Sequence, residues 1–240
     1  MAHAATLSRA IALFRAFLRE QSDPDVFYGA LAADTVGQLA DHVSLDGATV
    51  VDVGGGPGYY ARAFAAAGAT YVGLDPDAGV LGTSGTGALT VRASGTELPV
   101  RSASVDVCFS SNVLEHVRSP WIFAAEMVRV TRPGGTVYLA FTPWLSPWGG
   151  HETAPWHYLG GRRARLRYRR RHGREPKNRF GESLFPVTVG AVLRWARRSP
   201  DVELVATFPL YHPWWAAWII AVPILREFAS WNAVVVLRRS

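Results

Sequence analysis

The stretch Val50-Val51-Asp52-Val53-Gly54-Gly55-Gly56-Pro57-Gly58 decides the fold. Its short β-branched run reads as a buried strand, and the alanine-rich residues 59–67 after it read as a helix. Glycines between the two let the backbone turn sharply and approach a bound molecule, because no Cβ intervenes. Two ligand classes use such a loop. The dinucleotide fingerprint G-x-G-x-x-G sets pyrophosphate on the helix N-terminus. Gly54 and Gly56 fit it, but its third glycine position holds Tyr59. The spacing present is D-x-G-x-G-x-G, through Asp52, Gly54, Gly56 and Gly58. An acid at the strand end suits a ligand that carries positive charge and no phosphate.

Around this loop the sequence alternates strand and helix. Residues 6–20 and 27–43 read as helices, the first with apolar positions at Leu7, Ile11, Phe14 and Leu18. Strands are expected at 48–53, 70–74, 88–92, 105–110 and 136–141, with a helix at 120–130 and a turn at Pro133-Gly134-Gly135. Such alternation implies parallel strands with both sheet faces covered. After Phe141 the pattern breaks: residues 142–186 are rich in Pro, Gly, Trp, His and Arg and show no period. A helix returns at 188–197, then a strand at 202–208, a Trp/Pro-rich excursion at 209–230 and a closing strand at 233–237. The excursion carries no clear crossover helix, so the closing strand is expected antiparallel beside 202–208.

The D-x-G-x-G-x-G loop resembles motif I of the class I S-adenosylmethionine (SAM)-dependent methyltransferases. Further matches follow in chain order. Asp75 closes the second strand, where an acid can accept both ribose hydroxyls; Asp77 is the second choice. Ala93-Ser94-Gly95-Thr96-Glu97-Leu98-Pro99 stands where the family usually has G-D-A-x-x-L-P, so Ser94 replaces the aspartate that holds adenine, with the Gly95 backbone beside it. Residues 104–117, Ser-Val-Asp-Val-Cys-Phe-Ser-Ser-Asn-Val-Leu-Glu-His-Val, resemble the fourth strand and following loop of the small-molecule branch called type 11, and Arg132-Pro133-Gly134-Gly135 the turn before its fifth strand. The resemblance spans about residues 48–142. It implies an α/β, Rossmann-like three-layer α/β/α sandwich with a seven-stranded, mostly parallel sheet and the last strand antiparallel. It also implies SAM as cofactor, with Asp52, Gly54, Gly56, Gly58, Asp75, Ser94, Gly95, Ser110 and Asn112 as its contacts. The whole chain, 1–240, is expected to be a single domain. N-terminal helices (1–47) precede a SAM-binding core (48–142), and inserts at 143–186 and 209–230 cover the acceptor.

Methyl transfer mainly requires holding a nucleophile against the methyl carbon, and an oxygen nucleophile also needs a base. His116 lies just past the fourth strand and is either that base or a packed histidine. His151, Glu152 and His157 follow the fifth strand and are the other candidates; their spacing matches no common zinc pattern, so no metal is expected.

Composition bounds the rest. The single cysteine, Cys108, excludes an internal disulfide and fits a reducing cytoplasm. No secretory leader is expected, because Arg9 and Arg15 interrupt the first apolar stretch. No apolar run is long enough to span a bilayer. Residues 161–179 hold nine arginines, one lysine and one glutamate, a local +9 in a chain of net charge +6. An anionic partner should meet that segment: RNA phosphates, an anionic membrane surface, or none if it is a solvated face. Trp214, Trp215, Trp218, Ile219 and Ile220 read equally as an interfacial anchor or as an active-site cap. The expected function is O-methylation of a small or amphipathic acceptor, such as a glycolipid or a sugar. No obligate protein partner is expected, and the expected location is cytoplasmic, peripheral at most. The rivals are an RNA methyltransferase and a non-catalytic SAM-binding scaffold.

Overall fold

A computed structural model describes residues 5–19, 22–77, 79 and 88–240. Seven strands form one sheet: β1 (Thr49–Val53), β2 (Thr70–Asp75), β3 (Leu89–Arg92), β4 (Val105–Ser111), β5 (Thr131–Phe141), β6 (Val202–Pro209) and β7 (Ala233–Arg239), in the order β3-β2-β1-β4-β5-β7-β6. β1 pairs parallel with β2 and β4, β2 with β3, and β4 with β5. β7 slots between β5 and β6 and is antiparallel to both, as expected.

Strand alternation divides the core into two layers. Val51, Val53, Cys108, Val137, Leu139, Val235 and Leu237 pack on one face, under α4 (Pro120–Val130) and α6 (Val189–Arg198). Val50, Val107, Phe109, Tyr138, Ala140, Val234 and Val236 pack on the other, under α2 (Pro24–Ala40) and α3 (Tyr59–Ala66). Adjacent residues of one strand thus feed opposite layers, as the two-residue period demands.

Helix starts are chemically marked. Thr6 caps α1 (Leu7–Phe17), Asp23 with Pro24 opens α2, and Thr188 caps α6 through the Ala191 amide at 3.2 Å. The Asp23-Pro24 signal starts α2 three residues before the expected Phe27. Arg9 then straps α1 down: its guanidinium pairs with Asp34 of α2 and donates to the carbonyls of Leu210 (2.8 Å) and His212 (3.2 Å) beyond β6.

One expectation needs correction, and two stretches without a clear period resolve into helical elements. The Pro133-Gly134-Gly135 turn is not a break before β5 but a bulge inside it: Val105 pairs with Thr131 and Val107 with Thr136, and Gly134 takes the slack at φ +75°. The stretch without period contains a twelve-residue helix, α5 (Gly161–His172). It is arginine nearly all round, so it shows no apolar stripe; only Gly161 and Ala164 are buried, Gly161 so tightly that a Cβ would lie 2.1 Å from the Phe180 ring. The excursion before β7 holds a 3₁₀ stretch, Trp214–Ala221, and the short α7 (Leu225–Ala229). The two inserts meet where the rings of Tyr158 and Phe228 stack at 6.2 Å. No helix of the described residues is long and apolar enough to cross a membrane.

Candidate active site

The carboxyl ends of β1, β2, β4 and β5 form one edge, and the site is built there. The glycine loop is drawn under β2 by two bonds: the amides of Gly54 and Gly55 donate to the Leu74 carbonyl at 2.7 and 3.1 Å. Gly54 sits at φ +84°, and a Cβ there would lie 2.4 Å from Val113. Gly56, at φ +49°, is different: the nearest atom to a Cβ there is Asp75 Oδ2 at 4.0 Å. Only glycine suits Gly54 because of the protein, whereas the space at Gly56 is kept for something else. Gly58 opens α3 in the left-handed region, and no side chain caps that helix N-terminus.

Asp75 turns its carboxylate to this space, accepting from the Gly56 amide at 3.1 Å and the Asp77 amide at 2.8 Å. Asp77 instead accepts from Gly79 at 2.8 Å and closes its own turn, which favours Asp75. Asp52 is buried beneath the loop and accepts a 2.7 Å hydrogen bond from the Tyr71 hydroxyl. Burial pushes its carboxyl up to about 7; the Tyr71 bond opposes that shift and the nearby charge of Asp75 adds to it. Tyr71, which sequence reading did not single out, is thus the partner that keeps the acid in place. An open cradle at Gly56, an acid at the β2 end and a buried acid below the loop fit a ligand with a ribose and a cationic group.

Four expected cofactor contacts have other duties. The Ser94 hydroxyl bonds Thr96 Oγ1 at 2.9 Å and accepts from the Thr96 amide at 3.3 Å, closing its own turn. Gly95 is needed for packing, since a Cβ there would lie 2.4 Å from Phe123 of α4. Ser110 is buried and donates to the Val53 carbonyl at 2.8 Å, tying β4 to the end of β1. Asn112, at φ +58°, bonds Asn232 before β7 through its side chain and the Ala140 carbonyl through its amide, at 2.8 Å.

A second group lies one turn along from Val113, the residue that touches the glycine loop. There a 3₁₀ turn, Leu114–His116, presents Glu115 and His116, and the first insert brings His151 against them. The imidazoles of His116 and His151 meet edge to face at 5.1 Å. His116 Nδ1 donates to the Ser183 carbonyl at 2.7 Å, which fixes the tautomer and leaves Nε2 bare. Glu115 is buried; Oε1 accepts from the Thr142 amide at 3.0 Å, and Oε2 has no partner among the described residues. Burial lowers the pKa of His151, and His116 adds to this, against the opposing pull of Glu115. Glu152 and His157, the neighbours of His151 in sequence, are elsewhere. Glu152 accepts from Asn178 at 3.1 Å, and His157 is buried beside Trp144 with Nε2 bonded to the Ser146 carbonyl at 3.2 Å. Both brace the insert. The signal that marks Glu115 in the sequence is an acid directly before a histidine after a parallel strand.

Beside this group opens a cavity of about 370 Å³ between α1 and the inserts. Leu7, Ile11, Phe14, Phe17, Trp148 and Trp231 line it, and Thr142, whose amide binds Glu115, forms part of its wall.

A family model described as a methyltransferase domain matches residues 51–139. An uncharacterized methyltransferase of Mycobacterium marinum is 53% identical, over 98% of this chain and 96% of the relative. One from Mycolicibacterium gilvum is also 53% identical, over 99% and 97%. Among solved structures, an S-adenosylmethionine-dependent methyltransferase from Mesorhizobium loti superposes with a TM-score of 0.59 at 22% identity, over 85% of this chain and 98% of that one. The chain therefore belongs to the methyltransferases, and its sheet order and glycine loop make it one of the class I, SAM-dependent enzymes.

Proposed function

We propose that the enzyme methylates a hydroxyl oxygen of an amphipathic acceptor, a glycolipid or a sugar on an apolar carrier. The apolar cavity carries this reading, because its wall includes Thr142, whose amide holds Glu115 of the polar group. An acceptor lodged there would place its apolar part among Leu7, Ile11, Phe14 and Trp231 and its hydroxyl near Glu115, His116 and His151.

When bound, SAM supplies a methyl carbon on a cationic sulfonium, which takes up the acceptor oxygen's electron pair as the carbon–sulfur bond breaks. The glycine loop and Asp75 would hold the cofactor, and Asp52 sets negative charge beneath it. The acceptor hydroxyl must also lose a proton, and the Glu115–His116–His151 group is placed to weaken that O–H bond.

A labelled-methyl assay on lipid, carbohydrate and RNA extracts tests the acceptor class. Label in the lipid or carbohydrate fraction is expected; label in RNA alone would overturn the reading. Ala10→Phe, which fills part of the cavity, should raise KM for a long-chain acceptor about tenfold and leave SAM affinity unchanged. Equal KM values would remove the cavity from the acceptor's path.

The anionic membrane surface enters the same reading as the place where such an acceptor is met. Trp214, Trp218 and Ile224 are 71%, 56% and 75% exposed, an unusual display of large apolar side chains. On α5, Arg165 is neutralised by Glu175 and Glu182, both at 2.7 Å, and Arg167 lies 3.8 Å over the Trp156 ring. Exposed arginines of α5 remain to attract anionic lipid, at roughly 1 kcal/mol for each that reaches the surface. The enzyme should sediment with anionic vesicles at low salt and be released at about 1 M salt, where the Debye length is near 3 Å. Equal recovery with neutral vesicles, or none with either, would leave the tryptophans as a cap.

A further inference from the structure

We infer that Glu115, His116 and His151 form a binding site for a divalent first-row transition-metal ion. The three offer ligand atoms that all lie within 4.8 Å of one another, the one such group among the described residues. Ligand atoms bound tetrahedrally to one ion at about 2.1 Å lie about 3.4 Å apart, so closing on an ion draws these atoms together by at most about 1.4 Å per pair.

Each residue is prepared for the role. Glu115 is 1% exposed, and its Oε2 is a buried carboxylate oxygen with no hydrogen-bond partner among the described residues. Such an atom is costly unless a positive charge meets it. Its other oxygen is held by the Thr142 amide at 3.0 Å, which fixes the carboxylate's direction. His116 donates Nδ1–H to the Ser183 carbonyl, the outer-shell bond that characteristically orients a metal-binding imidazole and leaves Nε2 for the ion. His151 is held at φ +48°, a left-handed backbone position that a non-glycine residue seldom adopts, and this brings its ring to His116. Two imidazoles and one carboxylate favour zinc, manganese, iron or cobalt over magnesium or calcium, which prefer all-oxygen sets. Three protein ligands also leave a coordination position open.

The ion deepens the O-methylation reading, and depends on that reading only for its purpose. An acceptor hydroxyl in the open position would release its proton to water at a lower pH than a free alcohol does, with the imidazoles as ligands rather than bases.

The test uses the full chain, treated with chelator and titrated with Co²⁺, without acceptor. We expect one ion per chain, visible absorption bands and a higher Tm with Co²⁺ than without, since an ion that binds only the folded state stabilises it. His151→Gln and Glu115→Gln should each weaken Co²⁺ binding by about 100-fold or more, because loss of an outer-shell partner alone typically costs 10–100-fold. His157→Gln, in the same insert but outside the group, should leave Co²⁺ binding unchanged. SAM affinity on the same samples reports folding and should be retained throughout. A native chain that binds SAM but shows neither Co²⁺ bands nor a Tm rise would overturn the site and leave the methyltransferase reading intact. So would equal losses in the His151 and His157 variants. Co²⁺ binding in an enzyme that labels only nitrogen acceptors would overturn the O-methylation reading instead.

Discussion

Gly56→Val should abolish measurable SAM binding, a loss of at least about 100-fold, with the protein still folded. Around Gly56 a Cβ meets only Asp75 Oδ2 among the described residues, at 4.0 Å, so the valine side chain starts in the space that the loop leaves open. The backbone does pay, because valine at φ +49° is strained by about 1–2 kcal/mol. Gly47→Val separates the two effects. Gly47 also has a left-handed backbone, at φ +71°, with nothing near its Cβ position, but it lies in the turn before β1. Both variants should lose a few degrees of Tm, and only Gly56→Val should lose the cofactor in calorimetry. Unchanged affinity in Gly56→Val, or equal loss in both, would show that the loop does not cradle SAM.

The glycine loop was legible because its constraints are local. A strand end, three left-handed positions and a helix start lie within a few residues, and the residue types follow directly. Strand alternation was legible for the same reason, down to the antiparallel β7. The partners were not, because they come from afar in the chain. Tyr71 lies 19 positions from Asp52, and nothing in either neighbourhood marks the pair. Gly95 reads as a backbone contact for adenine, and the sequence does not show that Phe123 also forbids a Cβ there. His151, Glu152 and His157 looked like one constellation, but 3₁₀ geometry sends them to three separate environments. Only His151 meets Glu115 and His116. An arginine helix such as α5 evades periodicity outright, because periodicity detects an apolar stripe and this helix has none.

Asp52→Asn should make the SAM-free enzyme more stable at pH 8 while weakening its hold on SAM. In the folded chain the Asp52 carboxyl titrates at about 7, against an ordinary value of 3.8, because it is buried. Between those two values the unfolded chain has released a proton that the folded chain retains. Rising pH therefore removes stability from about pH 4 up to about 7, after which the loss is complete. The cost at neutral pH and above is on the order of 4 kcal/mol. Asparagine does not titrate, and its amide oxygen can still accept the Tyr71 hydroxyl, so the variant avoids that cost. Its Tm should exceed the native value by several degrees at pH 8, and the gap should close as pH falls towards 4. SAM binding should move the other way. A cationic ligand favours the ionised acid, so native affinity should rise between pH 6 and 8, whereas the variant's affinity should be about tenfold weaker and flat over that range. S-adenosylhomocysteine, which lacks the sulfonium charge, should show the smaller pH dependence in the native enzyme. A variant less stable than the native chain at pH 8 would mean that the buried acid supports the fold directly. The expected result instead makes Asp52 a charge kept at the expense of stability for the sake of the cofactor.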